Sequence, residues 1–557
     1  MGRLAPQMRN ARAGWSAAWP VVAALLLWGV LVSPYRYTDL HPAALLRLPL
    51  EGLLLALLLL AVPARVHRPV AAIVGLVLAL LFILKVLNLG FYVALNRPFD
   101  ALSDVGYTPG AVSLLFESVG TGDGVITVAL AVLGAIAVLV LLPLAAVRVS
   151  AALTAHRALA AGGVTALLGL WLGLAVSGAS SGAGAVASSP DVHLAIDQTR
   201  LIAGQIRDEQ VFDRQLVADP RGAASAGATT LAGLRGKNVL LVFVESYGRF
   251  ALEGPSSGPV TAALDTGTRQ LEEAGFHARS AFLTSPTFGG TSWLAHSTLQ
   301  SGLWIDSQSR YDRLMASRHN SLTSIFGQAG WRTVMDMPSS PSPWPEGQWF
   351  YRFAKMYGTD DVGYTGPRFG YARIPDQYTL QALQRLELGS QPRKPVMAEV
   401  DLDSSHTPWA PLSRMVPWTE VGDGAIYDPM PGQGESESYA WSTQTRLRAA
   451  YSSSVVYTLH SLVGFLQRYR DDDLVMIVLG DHQPNTFVTG PGASHDVPVS
   501  IITRDPAVIR PIAGWGWQPG LRPRPNAPVW RMDAFRGHFL QAYDAPMPGD
   551  STRPPAP

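Results

Sequence analysis

Long stretches with no charge constrain this chain before anything else does. Residues 53–62 read LLLALLLLAV, and residues 128–147 read VALAVLGAIAVLVLLPLAAV. A helix that crosses the hydrocarbon core of a bilayer takes about 20 residues. Five runs in the first third approach that length: 16–34, 43–63, 69–94, 124–146 and 157–178. With 48% hydrophobic and 15% charged residues over 557, the chain is too apolar for an ordinary soluble protein of its size, so these runs are expected to be five membrane spans. The first follows a basic N-terminal segment, lacks a small-residue cleavage site and reads as an uncleaved helix.

Basic residues in the short loops set the orientation. Arg65, Arg68, Arg148 and Arg157 fall on one side, with the N-terminal arginines. Arg36, Arg47 and Arg97 fall on the other, mixed with Asp39, Asp100, Asp104 and Asp123. The more basic side is cytoplasmic, and an odd number of spans places everything after about residue 180 outside the cytoplasm. Lys85, inside the third run, is expected to snorkel toward the outer interface. The resulting layout is a transmembrane domain over 1–180, a linker and connector helix over 181–235, a catalytic domain over 236–545 and a disordered Pro-rich tail over 546–557.

The second part of the chain alternates strand-like and helix-like segments. Short apolar runs at 238–244, 331–335, 396–402, 474–479 and 497–503 suit strands covered on both faces. Helical patterns at 261–275, 292–302, 374–388 and 446–469 lie between them. This predicts an α/β domain with a largely parallel sheet.

Ligands of open α/β sheets bind beyond the carboxyl ends of the strands, and titratable residues gather there. NVLLVFV runs into Glu245, WRTVM into Asp336, VMAEVDL into Asp403 and His406, and LVMIVLG into Asp481 and His482; His495 precedes the fifth strand. Carboxylates and an imidazole from strand ends can hold a hard divalent ion, and the donor set leaves Zn, Mn and Mg open. Two glycines precede Thr291, and an amphipathic segment follows. Thr291 therefore sits at or near a helix N-terminus, either as an ordinary N-cap or as a hydroxyl facing an anion. His296 could face the same site or simply pack, and His460 reads as structural.

The segments NVLLVFVES, FGGTSWLAHSTLQSGL, SSHTPW and IVLGDHQP, in this order, resemble the alkaline phosphatase and sulfatase superfamily. The likeness is to its membrane-bound branch of lipoteichoic acid synthases and lipid A phosphoethanolamine transferases. It implies an alkaline-phosphatase-like fold over roughly 236–505. Glu245, Thr291, Asp481 and His482 would be metal ligands, with Thr291 the nucleophile. His406 would contact the substrate phosphate or assist the leaving group, and His495 would lie near the metal or phosphate. GQWFYRF resembles a head-group-binding stretch and brings in Trp349 and Arg352, with the spacing between them off by one. The implied activity moves a phospho-alcohol head group from a membrane phospholipid to an envelope glycan or lipid acceptor.

Two features depart from that pattern. Asp336 stands where the lipoteichoic acid branch has a histidine, and cysteine is absent, unlike the disulfide-bearing transferases. The lack of cysteine, and of an arginine in TSPTFGG, also argues against an aldehyde-forming sulfatase. A net charge of +1, with no binding motif, gives no field for nucleic acid. Two other readings stay open on sequence: a hydrolase of the same fold that uses water, and a membrane scaffold with a non-catalytic ectodomain.

Overall fold

The computed structural model describes residues 5–544 other than 37–38, 109–111, 113–114, 117–119, 182–183, 220, 223–226, 228–229, 341–343 and 390–392. The Pro-rich tail expected over 546–557 lies outside the described residues. The chain forms two compact units, Met1–Ile206 and Arg207–Pro557.

The first unit is helical: α1 (Ala5–Val32), α2 (Leu50–Ala61), α3 (His67–Leu95), α4 (Thr121–Ala155), α5 (Arg157–Ser177) and the start of α6 (Pro190–Ala218). Val30, Ala79 and Leu142 pack α1, α3 and α4 together. Gly75 lets α3 approach α4 closely, since a Cβ there would lie 2.5 Å from the Pro143 Cα. The outward faces carry exposed Ile73, Leu80, Leu130 and Leu133. A helix that exposes its large apolar side chains and buries small ones suits lipid better than water.

Three helices, α3, α4 and α5, are long and apolar enough to cross a membrane. The five spans expected from sequence are not confirmed among the described residues. Two shorter apolar helices, Trp19–Val32 within α1 and Leu50–Ala61 (α2), accompany the three long ones. At 1.5 Å per residue α2 is about 18 Å long, well under the ~30 Å hydrocarbon core. Proline sets its limits: Pro42–Leu46 turns as a 3₁₀ helix, Leu48–Pro49 pairs with Ala187–Ser188, and Pro63 follows the C-cap. Lys85 does not snorkel. It is 1% exposed, its Nζ donates to the carbonyls of Val30 (2.9 Å) and Leu31 (3.1 Å), and it lies 3.0 Å from Asp191 Oδ1.

The second unit is built on a nine-stranded sheet. Its strands are β1 (Asn238–Val244), β2 (His277–Thr284), β3 (Arg332–Asp336), β4 (Lys355–Tyr357), β5 (Val396–Leu402), β6 (Leu474–Gly480), β7 (Asp496–Thr503), β8 (Gln518–Pro519) and β9 (Val529–Arg531). The order is β8-β2-β7-β6-β1-β5-β3-β4, with β9 beside β2. Alternation along β1 explains its unbroken hydrophobicity. Leu240, Val242 and Val244 face helices α7 (Gly258–Glu273) and α10 (Gln444–Tyr469). Val239, Leu241 and Phe243 face α8 (Ser292–Ser301) and α11 (Ala534–Tyr543).

The sheet is mixed, which corrects the largely parallel expectation. β6, β1, β5, β3 and β4 run parallel to one another, whereas β7 is antiparallel to both β6 and β2. Parallel pairing needs a long crossover, usually through a helix. Residues 481–495 carry only the four-residue helix Thr486–Thr489, so the chain returns beside β6 in the opposite direction.

Candidate metal centre and active site

Glu245, Asp481 and His482 come together beyond the ends of the adjacent parallel strands β1 and β6. One ligand atom from each lies within 4.8 Å of the others, and all three residues are buried. The residues that follow Glu245 make this approach possible. A Cβ on Gly248 would lie 1.8 Å from Gln483 Oε1, and one on Gly480 would lie 1.9 Å from the Tyr247 carbonyl oxygen. Ser246 takes a left-handed backbone (φ 56°), which turns its N–H toward Asp481.

Each donor atom has a defined state. The backbone N–H groups of Ser246 (2.8 Å) and His482 (2.7 Å) both donate to Asp481 Oδ1, while Oδ2 is buried and accepts no hydrogen bond. His482 Nδ1 lies 2.8 Å from the Gln483 carbonyl, which fixes its proton there and leaves the Nε2 lone pair free. That Nε2 is 3.5 Å from Glu245 Oε1 and 3.3 Å from Asp481 Oδ2. Burial lowers the His482 pKa. Burial would raise Glu245, but the imidazoles of His482 and His406 and its hydrogen bonds hold it at about 2. Asp481 is raised by burial and then by the Glu245 charge. Two carboxylates this close ionise together only beside a cation. The unpartnered Asp481 oxygen, the ionised Glu245 and the free imidazole lone pair fit a divalent ion.

Two hydroxyls begin α8, and they behave differently. Thr291 has φ 62°, a left-handed conformation that is unusual for a β-branched residue and costs about 1–3 kcal/mol. Its Oγ1 donates to the Gly290 carbonyl at 2.6 Å and caps no helix N–H. Ser292 Oγ instead reaches the metal-ligand group, 3.0 Å from Glu245 Oε2 and 3.2 Å from His482 Nε2. Sequence reasoning passed over Ser292. The adjacent pair Thr291-Ser292 was the available signal, but the backbone conformation decides which hydroxyl turns inward.

His406 stacks on Tyr371, with ring centroids 3.7 Å apart, and its Nδ1 lies 2.5 Å from the Thr407 carbonyl. His495 Nδ1 lies 3.3 Å from the Ser285 carbonyl, and Ser285 Oγ donates to the carbonyl of Asp481 (2.6 Å). Trp349 and Arg352 sit apart from this group. Trp349 is on the helix α9 (Pro345–Tyr351) and Arg352 caps it with φ 59°. With Ser317, Arg318 and Phe350 they line a separate cavity of about 300 Å³, and Arg352 Nη1 donates to Asn320 Oδ1. Neither contacts Glu245, Asp481 or His482. Asp336 is buried at the end of β3, and burial followed by the Asp403 charge pushes its pKa up to about 8.

No protein-family model matches the chain, and no curated protein matches it in sequence. Among solved structures, the chain is similar to the lipoteichoic acid synthase LtaP from Listeria monocytogenes, at 16% identity and TM-score 0.34, over 52% of this chain and 71% of that one. It is similar to the C-terminal periplasmic domain of EptC from Escherichia coli, at 14% identity and TM-score 0.38, over 57% and 84% of the two chains. It is also similar to the phosphoglycerol transferase GacH from Streptococcus pyogenes, at 12% identity and TM-score 0.37, over 62% and 81%.

Proposed function

We propose that this chain is a metal-dependent phosphotransferase of the cell membrane, which moves a phospho-alcohol head group from a phospholipid to an envelope glycan or lipid acceptor. The observation that carries this reading is the buried Glu245–Asp481–His482 group with its unpartnered Asp481 oxygen, beside a helix that begins with two hydroxyls. The three apolar helices of the first unit support a lipid donor, and the reading places the second unit on the extracytoplasmic side.

Glu245, Asp481, His482 and Thr291 would hold the ion; when bound, it lowers the pKa of a nearby hydroxyl and neutralises charge on phosphoryl oxygens. Thr291 Oγ1 would give its proton to solvent and attack the phosphorus of the lipid phosphodiester. The bond to the diacylglycerol oxygen breaks, and His406 protonates that leaving oxygen. A phosphodiester on Thr291 remains. The acceptor hydroxyl would give its proton to His406 and attack the same phosphorus; the Thr291 Oγ1–P bond breaks, the phospho-alcohol group passes to the acceptor, and Thr291 Oγ1 takes a proton back from solvent. His495 supports the strand-end loop beside Asp481. Trp349 and Arg352 would engage the head group or acceptor from their own cavity.

The contacts of Ser292 favour a second reading, in which Ser292 is the nucleophile and Thr291 shapes the turn. Vesicles that contain a phospholipid with a labelled head group, supplied with Mn²⁺, test both. Thr291→Ala is expected to lower turnover at least about 10³-fold with the fold intact, while Ser292→Ala keeps measurable turnover. The reverse pattern would move the nucleophile to Ser292, and label released only to water would make the chain a hydrolase. Wild-type turnover in a folded Thr291→Ala/Ser292→Ala double variant would contradict the covalent scheme.

A further inference from the structure

A second group of ligand-type side chains lies under α8 and shares no side chain with the first. Strand β5 carries Glu399 and Asp401 two residues apart, so both project from the same face of the sheet as Met397. That face is covered by α8, whose Ala295 and Leu299 join the same core. His296, between those residues, stacks on Phe243 with ring centroids 3.7 Å apart, which fixes its ring plane. Its Nδ1 points down at the strand, 3.2 Å from Glu399 Oε1 and 3.7 Å from Asp401 Oδ1. One ligand atom from each of the three lies within 4.8 Å of the others.

This arrangement is poorly explained as packing. Glu399 is 2% exposed. Its other oxygen accepts from Gln300 Nε2 at 2.5 Å, and Gln300 is in turn held by Thr323 through N–H to Oε1 (2.9 Å) and Nε2 to Oγ1 (2.8 Å). Asp401 Oδ1 is shut off from solvent and accepts no hydrogen bond. Among the described residues, the only ion pairs of Glu399 and Asp401 are with His296. Buried Glu399 and Asp401, whose side chain is 21% exposed, therefore face one imidazole, with no lysine or arginine paired to either among the described residues, and a buried carboxylate is costly unless paired or bound to a metal.

We propose that His296, Glu399 and Asp401 form a second site for a divalent cation, which ties α8 to strand β5. One imidazole nitrogen and two carboxylate oxygens suit a first-row ion such as Mn²⁺, with its remaining positions left to water. The site uses none of the side chains assigned to the first centre. It stands independently of the transferase reading, but an ion here would also hold the helix that carries Thr291 and Ser292.

The test is the metal content of the full chain, purified in detergent, stripped with chelator and dialysed against Mn²⁺ alone. Two Mn²⁺ per chain are expected. Glu399→Gln/Asp401→Asn should lose one and keep the other, and Glu245→Gln/Asp481→Asn should lose the other one. A single ion that disappears only in the Glu245/Asp481 variant would overturn this inference and leave the first centre standing. A single ion that disappears only in the Glu399/Asp401 variant would do the opposite. Two ions retained in the Glu399/Asp401 variant would also overturn it. If that variant is recovered unfolded, His296→Asn decides in its place: loss of one ion supports the site, and retention of both overturns it.

Discussion

At the scale of single residues, Asp336 yields a pH prediction whose sign is fixed. Its folded pKa of about 8 lies above the ordinary 3.8, so the folded chain binds this proton more tightly than the unfolded chain does. Stability from this group is complete below about pH 4 and falls as pH rises toward 8, by at most about 6 kcal/mol. Asp336→Asn is expected to raise the melting temperature at pH 8, to change it little at pH 4, and so to flatten the profile in metal-free buffer. An equal effect at both pH values would contradict the assignment. Glu245, Asp481 and His482 were legible in sequence because each follows an unbroken apolar strand, and a charge there has nowhere to go but the sheet edge. Ser292 was not, since its inward turn depends on the left-handed backbone at Thr291.

At the scale of elements, the approach of β1 and β6 depends on glycine. Gly480→Ala would drive a Cβ against the Tyr247 backbone oxygen, which cannot rotate away. It is expected to cost about 3 kcal/mol and to weaken Mn²⁺ binding at the first centre, measured by melting and metal titration. The five strands 238–244, 331–335, 396–402, 474–479 and 497–503 were visible because both faces of each are covered. β2 was hidden: HARSAFLT opens with polar residues and lies in the antiparallel part of the sheet. In the first unit, the buried Lys85–Asp191 pair joins α3 to the first turn of α6. Lys85→Met alone should destabilise that unit by about 3–5 kcal/mol, because it strands a buried carboxylate. Lys85→Met combined with Asp191→Leu should recover part of the loss. Detergent melting curves of the two variants distinguish this from a surface pair, for which both would be near neutral.

At the scale of the whole molecule, the chain joins an apolar helical unit to a unit that carries the candidate metal centre, and the proposed chemistry would use both. Under the proposed function, membrane attachment would raise the effective concentration of a lipid substrate. Long uncharged runs made the membrane unit visible in sequence. The length of α2 was not visible, because prolines 42, 49 and 63 shorten it without making its composition less apolar. An ion that binds only the folded unit stabilises it by mass action, about 2.7 kcal/mol at a hundred times its Kd. Chelation should therefore lower the melting temperature of the wild type and leave Glu245→Gln/Asp481→Asn less affected. The central claim is covalent capture of a head group at the start of α8, and the intact mass of the full chain tests it most directly. Detergent-purified protein is incubated with Mn²⁺ and phospholipid, in the absence of acceptor. The account predicts a mass increase equal to one phospho-alcohol head group, present in the wild type and in Ser292→Ala and lost in Thr291→Ala. An increase that survives in Thr291→Ala would contradict it.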